Sequence, residues 1–213
     1  VLPPVTITFG DTLEIVQGEA PAAWQHEDLS RNLLVDFPVI STNHAPPQLI
    51  GADGKTYPMK HGLVDLTLDL PDGPLRVCVL RLKNRDYHRA NPAELRRSEA
   101  RKWASVLKPP ANSGIDFLLF VEAFAEQESA PVKALTDALP VTVLPVADEA
   151  GGTWTHNEGK DSSQHRWSFA LANAGAAKRV RASRVVQADR SSDSAAAAEA
   201  TARKRSLQLE FAP

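Results

Sequence analysis

The stretch Leu75-Arg76-Val77-Cys78-Val79-Leu80-Arg81-Leu82-Lys83-Asn84 decides the fold, together with Asp116-Phe117-Leu118-Leu119-Phe120-Val121 beyond a charged segment. Both are short apolar runs rich in β-branched and aromatic residues and bounded by turn signals, which is the pattern of strands buried in a sandwich. Between them, Asn91-Pro92-Ala93-Glu94 predicts a helix start, with Asn91 as N-cap, Pro92 at the first helical position and Glu94 in the first turn. Leu95, Ala100, Trp103, Val106 and Leu107 then share one side at a period of 3.6, although Arg96 and Glu99 fall in the same arc. Pro109-Pro110 is expected to stop the helix.

Outward from this centre, the run His61-Gly62-Leu63-Val64-Asp65-Leu66-Thr67-Leu68-Asp69-Leu70 alternates apolar and polar, predicting a strand with one buried and one wet face. Asp72-Gly73 turns it tightly into the opening strand, giving a hairpin. Residues 5–16 alternate around Gly10-Asp11 and predict a second hairpin or two short strands. Downstream, residues 129–139 read as a short helix capped by Ser129, and residues 141–144 as a strand. Residues 179–186 read as a strand with outward arginines. Residues 188–202 are an Ala/Ser-rich loop or short helix, and residues 202–211 close the chain.

The chain of 213 residues predicts a single domain over 1–213, with an ordinary apolar fraction. A formal charge of −2 gives no global field for nucleic acid, so such binding would need a local patch. The arginine clusters (Arg96, Arg97, Arg101 and Lys102; Arg179, Arg181 and Arg184) raise that alternative, but aromatics are not interleaved with them and nucleic acid is disfavoured. The single cysteine, Cys78, lies in an apolar strand and reads as a small buried hydrophobe. No apolar run approaches the roughly 20 residues that cross a bilayer. The chain begins at Val1, so a processed export leader or a truncated start are both expectations, and compartment is not set by the sequence.

Strand, His-Leu-Lys-Ser, arginine-rich helix, strand, Gly-Asp-Phe-Asn is the signature of the endonuclease/exonuclease/phosphatase family of metal-dependent phosphoesterases. This chain resembles that family from about residue 29 to 211, with Arg81-Leu82-Lys83, then Glu122-Ala123-Phe124-Ala125, at the corresponding places. Leu33-Leu34-Val35-Asp36-Phe37-Pro38-Val39-Ile40 matches an internal strand of the family, and Gly152-Thr153-Trp154-Thr155 matches its Gly-Thr-Trp-Thr. Arg166-Trp167-Ser168-Phe169-Ala170-Leu171 stands where the family has Arg-Ile-Asp-Tyr-Ile-Leu, and Arg203 and Lys204 where it has the Asp-His pair before its last strand. The resemblance implies an α+β fold, two β-sheets packed face to face with helices outside (α/β/β/α), lacking the family's first strands.

It also implies a divalent metal held by carboxylates with a histidine and aspartate near the phosphate, because hard cations want oxygen ligands. The matching positions here are Arg81, Ala123, Ala125, Ser168, Arg203 and Lys204, none a carboxylate. The expectation is therefore a non-catalytic relative, with no metal and no cofactor, working as a structural or protein-binding subunit of a larger assembly. The stated alternative is an active metal-dependent phosphodiesterase or nuclease with an atypical site. Arg81, Arg203 and Lys204 would make the old metal site a cationic pocket for phosphate, a partner's acidic side chain or Glu122 of the same chain. A sandwich without its first strands would expose an edge or an apolar face, so a protein partner is expected, and a membrane-associated one is compatible. His156 near Asp161 and His165 beside Arg166 show no metal-ligand spacing and are read as solvated loop histidines.

Overall fold

The computed structural model describes residues 5–9, 13–17, 26–28, 33–35, 39–42, 49–50, 56–57, 63–82, 92–158, 163–187 and 205–211. The early strands are β1 (Val5–Phe9), β2 (Leu13–Gln17), β3 (His26–Asp28), β4 (Leu33–Val35), β5 (Val39–Thr42), β6 (Leu49–Ile50) and β7 (Thr56–Tyr57). The hairpin β8 (Leu63–Leu70) and β9 (Gly73–Arg81) leads to helix α1 (Pro92–Ala111), β10 (Asp116–Glu122), helix α2 (Ala130–Thr136) and β11 (Thr142–Val143). Then come β12 (His156–Glu158), β13 (Ser163–His165), β14 (Ser168–Ala172), helix α3 (Ala174–Arg179), β15 (Val180–Gln187) and β16 (Arg205–Phe211).

Two six-stranded sheets result, ordered β15-β16-β1-β2-β4-β3 and β11-β14-β10-β9-β8-β5. Strands β9 and β10 are neighbours and parallel, which requires a crossover, and α1 supplies it. Between the sheets, Val5, Ile7, Phe9, Leu207, Leu209 and Phe211 pack against Leu66, Leu68, Val77, Val79, Leu118 and Phe120. The Phe9 and Phe120 rings, 5.1 Å apart, join the two layers. Alternate residues of the central strands point the other way. Cys78, Leu80, Phe117, Leu119 and Val121 form a second core with Trp103 and Leu107 of α1 and Val132 and Leu135 of α2. The expected α+β architecture of face-to-face sheets with helices outside is present.

Several local readings are corrected. Helix α1 is not stopped at Pro109-Pro110 but runs to Ala111. The carbonyls deprived of a donor there belong to Ser105 and Val106, both exposed, so water can serve them. The buried stripe of α1 is Ala100, Trp103, Ala104, Leu107 and Ala111; Val106 lies off it and is 42% exposed. Arg96, read as part of a basic surface, is buried, as is Glu99 one turn on with opposite charge. The wet face expected of β8 is covered: Asp65 and Thr67 are buried because that face turns toward the helices. Asp65 is served there by Arg76 Nε at 2.8 Å and by the Cys78 thiol at 3.5 Å. Arg179 ends α3 rather than opening a strand, and binds Asp116 Oδ2 at 2.9 Å. Asn91 and residues 188–202 lie outside the described residues.

Candidate functional site

The register across β9, β10 and β14 puts Arg81, Glu122 and Ser168 in one row at the end of the second sheet. Glu122 Oε2 lies 3.2 Å from Arg81 Nε, so the carboxylate of the chain itself sits on that guanidinium. Beyond the row the backbone stays ordered: Leu82 N donates to Glu122 O at 2.9 Å and Ala123 N to Trp167 O at 2.7 Å. Ala123 and Ala125 are buried in the helix-side core.

Thr155, at the end of Gly152-Thr153-Trp154-Thr155, ties this end together. Its buried hydroxyl oxygen accepts from Trp167 N and Ser168 N, each at 3.0 Å. Its N–H donates to His165 O at 2.9 Å, and its carbonyl accepts Arg205 N at 3.0 Å. The start of β16 in the first sheet is thereby fastened to the strand ends of the second. Arg205 lies over the Trp154 ring, 3.8 Å from its centroid, and donates to Asp148. Asp148 also accepts Gly152 N at 2.7 Å, and a Cβ at Gly152 would meet its Oδ2 at the same 2.7 Å, so any larger residue there would displace the carboxylate. The Arg205 hydrogen bond, then the backbone of Gly152, hold the Asp148 carboxyl below the ordinary range. Arg203 and Lys204 immediately precede this strand but lie outside the described residues, so the expected approach of Arg203 to Arg81 does too.

The loop after β10 carries a feature that sequence reading missed. Glu126 Oε1 is 3.0 Å from His165 Nδ1, although the two are 39 residues apart. The His165 ring stacks on Trp167 (5.1 Å, 18°), and so does that of its cross-strand partner His156 (4.3 Å, 19°). Phe124, a non-glycine residue at φ +48°, packs its ring against Trp167 at 5.7 Å. Arg166 points elsewhere, donating to Gln127 Oε1 and Leu144 O at 3.2 Å each. Burial pushes its guanidinium down, with Glu126 opposing.

The residues at the positions where the resemblance implies a divalent metal do not fit one. An arginine engaged by a carboxylate, two buried alanines and a serine offer no set of hard oxygen donors. Among the described residues, no group of three or more His, Cys, Asp or Glu side chains is arranged to hold a metal ion.

Two packed sheets with a βαβ crossover and helices outside make an α/β/β/α sandwich. The chain has the fold of endonuclease/exonuclease/phosphatase family proteins. Sphingomyelinase C from Streptomyces griseocarneus matches with a TM-score of 0.54 at 14% identity, over 84% of this chain and 66% of that one. The human Nocturnin catalytic domain with bound sulfate anion gives 0.55 at 13%, covering 83% and 60%. A 3' phosphatase from Neisseria bound to product DNA hairpin gives 0.54 at 10%, covering 84% and 74%. The chain thus spans about two thirds of the length of such structures. No protein-family model matches it, and no curated protein does.

These matches correct one expectation. The sequence reading held the chain not to be an enzyme; its structural neighbours are a sphingomyelinase, a phosphatase and a catalytic domain, which runs against that expectation. At such identities the likeness itself carries the fold.

Proposed function

We propose that the chain acts on a phosphoester-bearing ligand held at the strand-end face, as one subunit of a larger assembly. The supporting observation is the meeting of Arg81, Glu122 and Ser168 with the start of β16, where Arg203 and Lys204 lead into Arg205. Guanidinium and ammonium groups suit tetrahedral anions, arginine by its planar fork and lysine as a point charge. Glu122 keeps Arg81 neutralised, and a phosphate oxygen takes its place on the same donor. The similar structures support that ligand class, one being a phosphatase with product DNA and one a catalytic domain with a sulfate anion. An acidic side chain of a partner protein presents the same chemistry to Arg81, Arg203 and Lys204, and in this reading it is how the chain is held in its assembly.

Calorimetric titration of the chain with inorganic phosphate tests the reading. Saturable binding is expected, weakening with salt, and Arg81→Gln should lower affinity by about tenfold or more, the worth of a charged hydrogen bond. Absence of saturable phosphate binding, or an Arg81→Gln affinity equal to that of the parent, overturns it.

A further inference from the structure

We infer that the outer face of helix α1 rests the molecule on an anionic lipid bilayer, independently of the strand-end site. The carrying observation is an imbalance of charge. On the sheets, in α2 and at the end of α3, cations meet carboxylates: Arg76 meets Asp65, Arg81 Glu122, Lys133 Glu128, Arg179 Asp116, Arg184 Glu210 and Arg205 Asp148. On α1, Arg101, Lys102 and Lys108 are exposed, and among the described residues no carboxylate lies within ion-pair distance of them. Lys178 and Arg181 are exposed in the same way, but Arg179 between them is drawn inward by Asp116 and no exposed large hydrophobic accompanies them.

Helical spacing gathers these charges. Arg97, Arg101 and Lys108 fall within about 40° of arc and make a ridge about 16 Å long. Lys102, Val106 and Pro109, each about one turn apart, make the ridge beside it, and all three are exposed. The acids of α1 do not cancel the field. Glu94 reaches Arg97 alone, at 3.5 Å, and Glu99 is buried. A chain of formal charge −2 therefore carries a locally positive surface here. The core takes the other side of the helix through Ala100, Trp103, Ala104 and Leu107, so the outer ridges have no packing role and α1 lies against a bilayer without entering it.

Val106 decides which polyanion fits. At 42% it is the only exposed large hydrophobic among the described residues, and it sits one turn from Lys102. A lipid headgroup layer accepts that combination, because an aliphatic tip reaches toward the acyl boundary while lysine and arginine stems lie along it with their charges on lipid phosphates. A nucleic-acid backbone would set Val106 against phosphate, and the outer face of α1 offers no aromatic side chain for a base to stack on. Each Lys or Arg near such a surface multiplies partition by about fivefold, so the contact is reversible and dispersed by salt.

The test is co-sedimentation of the full chain with vesicles of phosphatidylcholine, alone or with an equal part of phosphatidylserine. Partition onto the anionic vesicles is expected, with little onto phosphatidylcholine alone and loss at high salt. Changing Arg101→Gln, Lys102→Gln and Lys108→Gln together should keep the parental Tm, since glutamine suits a helix, and lower partition by about 100-fold. Should that variant lose its thermal transition, Lys102→Gln alone decides, at about fivefold. Val106→Trp should raise partition several-fold at unchanged Tm. Arg81→Gln, which probes the strand-end site, should partition like the parent. The inference is overturned if the parent ignores anionic vesicles at low salt, or if the triple variant partitions like the parent. It is also overturned if Arg81→Gln alone abolishes partition, or if the three residues bind a single-stranded oligonucleotide and no vesicle. None of these outcomes bears on the titration with inorganic phosphate, which judges the strand-end reading separately.

Discussion

Single residues at this strand end are placed by hydrogen bonds that no local pattern dictates. Thr155 is the clearest case: one buried hydroxyl serves two backbone N–H groups, and the same residue's carbonyl holds the other sheet through Arg205 N. Thr155→Val keeps the shape and strands both amides, so it should cost about 1–3 kcal/mol, read as a lower urea midpoint at unchanged slope. The Asp65 and Arg76 pair works by the same logic, since Asp65 is buried and Arg76 supplies its counter-charge. Arg76→Met should therefore destabilise by about 3 kcal/mol. Burial, then the Asp65 charge, push the Cys78 thiol well above its usual range, so a thiol reagent should label it only on unfolding. Asp148 gives a pH dependence of definite sign. Its carboxyl is depressed in the folded state, so its contribution is full above the ordinary carboxylate range and fades as pH falls through that range toward its folded value. Asp148→Asn should flatten that part of the acid limb of stability against pH.

Among the elements, helix α1 separates what periodicity can tell from what packing decides. Trp103 and Leu107 were legible as core because they recur at helical spacing, and both are fully buried. Val106 shares that arc on paper, yet the true stripe runs along Ala100, Trp103, Ala104, Leu107 and Ala111 and leaves it in water. Trp103→Ala should cost about 3–5 kcal/mol, whereas Val106→Ser should stay within about 0.5 kcal/mol, both by thermal or urea unfolding. The hairpin at Asp72-Gly73 was also legible, because Gly73 takes φ +107° and few other residues do so freely. The burial of Asp65 and Thr67 was not. Alternation assigns polar residues to a second face without saying whether helices cover it.

At the scale of the whole molecule, two cores share the central sheet: one between the sheets and one beneath α1 and α2. The sequence argument for a partner expected an unpaired edge or an uncovered apolar face; among the described residues the only exposed large hydrophobic is Val106. The association proposed above therefore rests on the charge of the strand-end face. Because a ligand that binds only the folded chain stabilises it by mass action, millimolar phosphate should raise the Tm of the parent and leave that of Arg81→Gln nearly unchanged.

By itself the sequence determined the strands β8, β9 and β10 and the crossover helix between the last two. These rest on local periodicity, turn chemistry and an ordered series of motifs, all of which act over a few residues. The tertiary structure alone decided that Glu122 sits on Arg81, that Thr155 fastens the two sheets, and that Glu126 meets His165 across 39 residues. Such contacts depend on where strand ends converge after the sheets have packed, and a side chain's neighbours in space leave no periodic trace along the chain.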